Sequence, residues 1–140
     1  MTRINVVPVE TLSNEHLLAE YKEITRPFNK VIKRIEAGTY KNVVIPAKYC
    51  LGKGHETFFF DKLRWLWFRY VNLYGELVNR GFNIDHDKFD RIKEDMFINT
   101  MHTIAWGDYT PTPDDMYLNM SRLVRRSKNQ DVIEELNSDN

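Results

Sequence analysis

Apolar residues recur every three or four positions through three stretches of this 140-residue chain, a spacing that predicts helices. The first stretch, LSNEHLLAEYKEITRPFNKVIKRIEAG, predicts one long helix with Ser13 as its N-cap and Gly38 just past its end. Pro27 lies inside this pattern and predicts a kink, because proline has no amide hydrogen for the carbonyl of Glu23. The apolar positions form one stripe: Leu17, Tyr21, Ile24, Phe28, Val31 and Ile35.

The second stretch follows a glycine-rich turn at Gly52 and Gly54 and predicts a helix that ends at Gly81 and Phe82. Its aromatic density could suggest base stacking, but aromatic residues at helical spacing are more often part of a core. We therefore interpret this face as buried. Its apolar positions are Leu63, Leu66, Trp67, Tyr70, Val71, Tyr74, Leu77 and Val78.

The third stretch begins at TPTPDDMY, with Thr112 as N-cap and Pro113 in the first helical position. Its spacing predicts four inward side chains and three outward arginines. The predicted inward residues are Tyr117, Met120, Leu123 and Val124, and the predicted outward ones are Arg122, Arg125 and Arg126. Within residues 85–106, DKFDRIKEDMF predicts a short helix and the rest reads as loop.

No stretch of the chain gives a strong strand signal, so the predicted fold is all-α. We expect a compact single domain of three main helices with long irregular loops, formed by residues 1–126, and an acidic C-terminal tail at 127–140. No apolar run approaches the roughly 20 residues of a membrane span, and the N-terminus lacks a signal-peptide pattern. We expect a soluble, cytoplasmic monomer.

The residues that most often carry cofactors or metals give no recognisable site. Cys50 is the one cysteine, and the four histidines have no paired ligand spacing. The Gly52-Lys53-Gly54 triplet lacks the spacing of a phosphate-binding loop. We therefore predict neither a metal nor a cofactor.

Charge is separated along the chain although the net charge is zero. Residues 1–84 carry 13 Lys/Arg against 8 Asp/Glu, whereas residues 85–115 carry 3 against 8. Residues 116–126 are basic again, and residues 127–140 are acidic. One basic face that binds a polyanion is compatible with this distribution, as is an ordinary solvated surface.

Two features of the N-terminal third point to chemistry. If Met1 is removed, Thr2 carries a free α-amino group whose pKa of about 7.7–8.0 leaves a nucleophilic fraction near neutral pH. On the first helix, Glu23 lies beside a basic stripe, where it forms either a surface ion pair or the embedded carboxylate of a phosphate-binding groove. The stripe, at steps of four and three, is Lys22, Arg26, Lys30 and Lys33.

Five ordered segments together resemble one enzyme family. They are MTRIN, HLLAEYKEITRPF, GKGHETFFFDKL, NRGFNI and GDYTP. The chain is similar to the pyrimidine-dimer DNA glycosylase/AP lyase family of bacteriophages and viruses, also called phage endonuclease V. The similarity spans residues 1–84 and resumes over residues 107–126.

The resemblance implies a metal-free enzyme that acts on damaged double-stranded DNA, in the host cytoplasm if the protein is viral. It implies that the Thr2 amine attacks the deoxyribose at an ultraviolet-induced cyclobutane pyrimidine dimer and forms an imine, while Glu23 assists β-elimination of the strand. It implies that the adenine opposite the dimer is turned out of the duplex. The implied DNA-binding residues are Arg3, Lys22, Arg26, Arg122 and Arg126, with His16 and Glu20 as supporting neighbours.

Two departures from the family bear on specificity. Lys22 stands where the family usually has arginine, so phosphate attraction remains but bidentate geometry is lost. The acidic tail replaces an aromatic, basic one that contributes to lesion recognition. Two alternatives therefore stay open: the same chemistry on an oxidised or ring-opened base or an abasic site, and a non-catalytic DNA-binding module on the same scaffold.

Overall fold

The computed structural model describes residues 2–124, which fold into five helices joined by loops and short 3₁₀ turns. No strand occurs among these residues, so the predicted all-α class is confirmed. The helices are α1 (Asn14–Glu23), α2 (Arg26–Glu36), α3 (Leu63–Asn79), α4 (His86–Thr100) and α5 (residues 113–124). The 3₁₀ turns are Val9–Thr11, Tyr40–Asn42 and Thr57–Asp61.

The predicted long first helix is wrong, because the chain breaks at Ile24 and Thr25 into α1 and α2. Pro27 lies in the first turn of α2, where its missing amide hydrogen costs nothing. The predicted ends hold: the Ser13 side chain accepts a hydrogen bond from the His16 amide, and Gly38 beyond α2 has φ of 72°. The break leaves Glu23 as the last residue of α1.

Helix α3 contacts both α1 and α4, and α2 packs against α4 and the turn Thr57–Asp61. The aromatic residues of that turn are buried. On the predicted apolar face of α3, four residues are buried and Val78 is 41 % exposed; the buried ones are Leu63, Leu66, Tyr70 and Leu77. Gly81 ends α3 with φ of 88°, which confirms the predicted cap. Large side chains with no exposure form the centre of the core: Ile4, Leu17, Ile24, Phe28, Phe59, Leu63, Leu66, Leu73 and Leu77.

The segment predicted as a short helix and loop contains the 15-residue helix α4. Asp85 caps it by accepting a hydrogen bond from the Lys88 amide at 3.0 Å. Phe89 and Met96 are buried, and Ile92 packs against the core. Because these apolar residues are widely spaced among charged ones, the sequence pattern predicts a shorter helix than α4.

The predicted inward face of α5 is wrong for three of its four residues. Tyr117 is 76 % exposed, and Met120 and Val124 are exposed as well, whereas Leu123 packs against the core and Asn119 is fully buried. The helix turns Asn119 inward because its side chain accepts hydrogen bonds from buried backbone amides of the N-terminal segment. Arg122 is half-buried rather than outward. The N-cap prediction holds, since the Asp115 amide donates to the Thr112 hydroxyl at 3.0 Å.

Residues 125–140 lie outside the described part of the chain. The proposed DNA-binding residue Arg126 and the acidic tail at 127–140 belong to this stretch, as does Arg125.

Candidate active site

Residues 2–7 form a buried segment that runs through the fold without a strand partner. Backbone amides in such a place need acceptors, since a buried amide left unpaired is costly. Side chains from three remote parts of the chain supply them. Glu23 accepts from the Arg3 amide at 3.1 Å, His55 from Ile4 at 2.9 Å, and Asn119 from Val6 and Val7 at 2.7 and 3.2 Å.

The contact between Arg3 and Glu23 brings the chain's first residues to the end of α1. Besides the amide bond, the Arg3 guanidinium Nε lies 3.8 Å from Glu23 Oε1, which is an ion pair but too long for a hydrogen bond. The Glu23 side chain is 11 % exposed and Thr2 is buried. The amide that binds this largely shielded carboxylate belongs to Arg3, the residue next to Thr2.

Glu20, one turn before Glu23, is held in a buried ion pair. Arg69 donates to its two oxygens at 2.7 and 3.1 Å, and Asn5 donates to Oε1 at 2.8 Å. Arg69 also donates to the Val7 carbonyl at 2.5 Å. These donors occupy the carboxylate, so Glu20 anchors the N-terminal segment to α1 and α3.

A small cavity of about 110 Å³ opens beside this network. Its lining combines the basic side chains of Arg3, His16 and Arg122 with the carboxylates of Glu15 and Glu20. Arg122 donates a hydrogen bond to the Asn5 side chain. Burial lowers the pKa of His16, the guanidinium groups of Arg122 and Arg3 act in the same direction, and the Glu15 carboxylate opposes them. The recess therefore carries charges of both signs, and its two guanidinium groups are the ones that suit an anion such as a phosphate.

Lys22 borders a second, larger cavity of about 400 Å³ between α1, α3 and α4. The stacked rings of Tyr21 and Tyr70, with centroids 5.2 Å apart, line it. Lys22 and Arg26 are exposed, and they lie on opposite sides of the helix break. The break thus divides the basic stripe predicted for one continuous helix.

The structure brings several predicted site residues together and separates others. Arg3, His16 and Arg122 share the small cavity, and Arg3 joins Thr2 to Glu23. Lys22 borders the other cavity. Within residues 2–124, no cluster of three or more His, Cys, Asp and Glu side chains could hold a metal, and no helix is long and apolar enough to cross a membrane.

Sequence reasoning missed four residues that hold the N-terminal segment in place. His55 and Asn119 accept from its amides, Arg69 binds its carbonyl, and Asn5 joins it to Glu20. Their partners lie far away in sequence, so helical spacing contains no signal for them. A polar residue in a predicted apolar face, as Arg69 is in α3, was the one available hint.

The arrangement suits attack on a sugar bound to phosphates. It offers a recess lined in part by two arginines, a shielded carboxylate, and an N-terminal segment fixed by hydrogen bonds beside both. The family model for pyrimidine dimer DNA glycosylase matches residues 1–90, which include α1, α2 and α3 with Thr2, Glu23 and His55. This match covers more than half of the chain and confirms the resemblance seen in the sequence. The chain therefore belongs to the pyrimidine dimer DNA glycosylase family.

Proposed function

We propose that this protein excises cyclobutane pyrimidine dimers from double-stranded DNA with the α-amine of Thr2 and then cuts the strand as an AP lyase. The hydrogen bond from the Arg3 amide to Glu23 supports this proposal most directly. It ties the residue next to Thr2 to a carboxylate that is mostly shielded from water. A nucleophile and a carboxylate held together by the backbone are what the chemistry requires.

In the first step, the amine nitrogen attacks C1′ of the 5′ nucleotide of the dimer. The bond from C1′ to the base breaks, and its electron pair leaves with the base, which takes up a proton. The sugar ring then opens to a protonated imine that joins C1′ to the protein. The Glu23 carboxylate stabilises the positive charge that develops on the sugar and the imine.

In the second step, Glu23 removes a proton from C2′. The electron pair of that C–H bond moves toward the imine, and the C3′–O bond to the phosphate then breaks. The strand is thereby cut on the 3′ side, and water hydrolyses the imine to release the amine. The Thr2 hydroxyl takes no part, since the backbone nitrogen is the nucleophile.

The basic side chains bind the DNA backbone in this proposal. Arg3 and Arg122 at the small cavity hold phosphates beside the lesion, and Lys22 and Arg26 extend the contact across the helix break. The 400 Å³ cavity next to Lys22 is the place for the adenine that leaves the stack opposite the dimer. The Tyr21 and Tyr70 rings offer that base an aromatic wall.

Borohydride trapping on a duplex with a single dimer tests the proposal, because reduction converts the imine into a stable covalent adduct. We expect an adduct with the dimer duplex and none with the undamaged duplex. A variant with leucine inserted between Met1 and Thr2 has a longer N-terminus. Its terminal amine no longer belongs to Thr2, so it should give no adduct. Thr2→Ser keeps the amine and should react like the wild type. Absence of an adduct with trimmed protein that binds the dimer duplex would refute the proposal.

A further inference from the structure

His55 is a buried titratable residue that the proposed chemistry does not use. It lies in the GKGHETFFFDKL segment, with 5 % of its surface exposed. Its Nε2 accepts from the Ile4 amide at 2.9 Å, and its Nδ1 lies 2.8 Å from the Cys50 carbonyl oxygen. An amide only donates and a carbonyl only accepts, so Nδ1 carries the hydrogen and Nε2 carries none. The acceptor at Nε2 requires the neutral ring, and the two bonds together require this one tautomer.

The surroundings of His55 favour the neutral ring. Burial lowers its pKa below the ordinary value of 6.5, and the charge of Arg122 on α5 acts in the same direction. The Cys50 hydrogen bond and the carboxylates of Glu20 and Glu56 oppose this effect but do not outweigh it. The rings of Tyr49 and Phe59 pack edge-on at 5.5 and 5.8 Å and exclude water.

His55 acts close to the reacting end of the chain. Ile4 is two residues from Thr2, a backbone distance of about 7 Å. Glu23 fixes the Arg3 amide, and His55 fixes the next one. Acceptors on two consecutive amides set both the position and the direction of the chain that leads to the terminal nitrogen.

We propose that His55 is a positioning residue for the glycosylase reaction: by binding the Ile4 amide, it fixes where the terminal nitrogen meets the deoxyribose. This inference rests on the proposed function, since it takes the Thr2 amine as the nucleophile. His55 does not touch the DNA. Loss of its bond to Ile4 lets the segment shift, and a displacement of about 1 Å costs about 10²-fold in rate.

Two amide substitutions separate the two hydrogen bonds of His55. The longer side chain of His55→Gln places an oxygen near the Nε2 position and can accept from Ile4. The shorter side chain of His55→Asn reaches the Nδ1 position and can donate to Cys50, but it offers Ile4 no acceptor. The pair therefore tests the bond to the N-terminal segment specifically.

The experiment measures single-turnover excision and affinity on a dimer duplex for both variants and the wild type. We expect His55→Asn to excise about 10²-fold more slowly with unchanged affinity, and His55→Gln to recover most of the rate. The wild-type rate should also decline more steeply toward acidic pH than the His55→Gln rate, because protonation of the ring breaks the bond to Ile4. Circular dichroism and thermal unfolding establish that each variant is folded.

The outcomes distinguish this inference from the proposed function. A folded His55→Asn variant with the wild-type rate overturns the inference, whereas the wild-type imine adduct still supports the mechanism. A wild-type protein without an adduct overturns both. If His55→Asn does not fold, the pH profiles decide: a steeper decline in the wild type than in His55→Gln supports the inference, and parallel profiles overturn it.

Discussion

The backbone amide of Arg3 donates a hydrogen bond to the Glu23 carboxylate at 3.1 Å, which joins the chain's first residues to the last residue of α1. Glu23 is followed directly by the break that separates α1 from α2. The same carboxylate forms an ion pair with the Arg3 guanidinium. A single side chain therefore positions the N-terminal segment and, in the proposed mechanism, serves the reaction.

Replacing Glu23 should slow catalysis and leave DNA affinity unchanged. In Glu23→Gln the amide oxygen can still accept from the Arg3 amide, but the side chain can no longer take a proton or stabilise a cation. We expect single-turnover excision and strand cleavage to fall by about 10²–10⁴-fold, while affinity for the dimer duplex is retained. The matched control is Glu36→Gln at the exposed end of α2. A Glu23→Gln enzyme that cleaves at the wild-type rate would remove the carboxylate from the mechanism.

Lys22 should contribute to DNA affinity through charge alone. For Lys22→Gln, the slope of log affinity against log salt concentration should become shallower by about 0.9, the value for one lost phosphate contact. Affinity for undamaged and dimer duplexes should fall alike, since phosphate contacts do not read the lesion. Lys41→Gln, on the turn Tyr40–Asn42, is the control. Fluorescence anisotropy across a salt series gives the slopes, and equal slopes for Lys22→Gln and the wild type would contradict the assignment.

Asn119 should matter for stability more than the exposed apolar residues beside it. Asn119→Ala leaves the buried amides of Val6 and Val7 without their acceptor. We expect the free energy of unfolding to fall by about 3 kcal/mol. Met120→Ala on the exposed side of the same helix should change it by less than about 0.5 kcal/mol. Urea unfolding followed by circular dichroism measures both, and similar values would show that α5 does not depend on Asn119.

Replacing Gly107 and Gly75 by alanine should change the stability of the protein in opposite directions. A Cβ on Gly107 would lie 2.2 Å from the Asp61 carbonyl oxygen, and the Gly107 carbonyl accepts from the Arg64 amide at the start of α3. Gly107→Ala should therefore destabilise the protein by about 3 kcal/mol. Gly75→Ala, inside α3 and facing open space, should stabilise it by up to about 1 kcal/mol. Thermal melts of the two variants test the pair, and a stable Gly107→Ala would show that the loop can move away.

Stability should fall on acidification in part through His55. The folded protein keeps this ring neutral, whereas in the unfolded chain its pKa returns to the ordinary 6.5. Below that pH the unfolded chain binds a proton that the folded chain does not, so the free energy of unfolding falls until the lower folded pKa is reached. His55→Gln should remove this contribution. Burial also lowers the pKa of His16, but its contribution to the free energy of unfolding is the same in the wild type and in His55→Gln.

Urea unfolding of the wild type and His55→Gln at about pH 7.5 and pH 5 measures the contribution as a difference. The wild type should lose more stability between these values than His55→Gln. Equal losses would show that the ring is not held neutral by the fold.

Local signals in the sequence identified the elements that depend on neighbouring residues. The caps at Ser13 and Thr112 and the helix ends at Gly38 and Gly81 were predicted correctly, because each depends on the chemistry of a few adjacent positions. The segments that resemble the family also predict Thr2 and Glu23 as the catalytic residues, and this assignment stays a prediction.

Features that depend on distant partners could not be predicted in this way. Asn119 of α5 faces inward toward amides more than 100 positions earlier, at Val6 and Val7, so the spacing of apolar residues gives a wrong prediction for Tyr117, Met120 and Val124. His55 accepts a hydrogen bond from Ile4 across 51 positions. The sequence predicts a kink at Pro27, whereas one helix ends at Glu23 and a new one begins at Arg26.

Mass-spectrometric mapping of the borohydride-reduced adduct shows which nitrogen of the protein attacks the deoxyribose. After digestion of protein and DNA, we expect the sugar remnant on the α-nitrogen of Thr2 in the N-terminal peptide. A remnant on a lysine side chain such as Lys22, with the Thr2 nitrogen unmodified, would contradict this expectation.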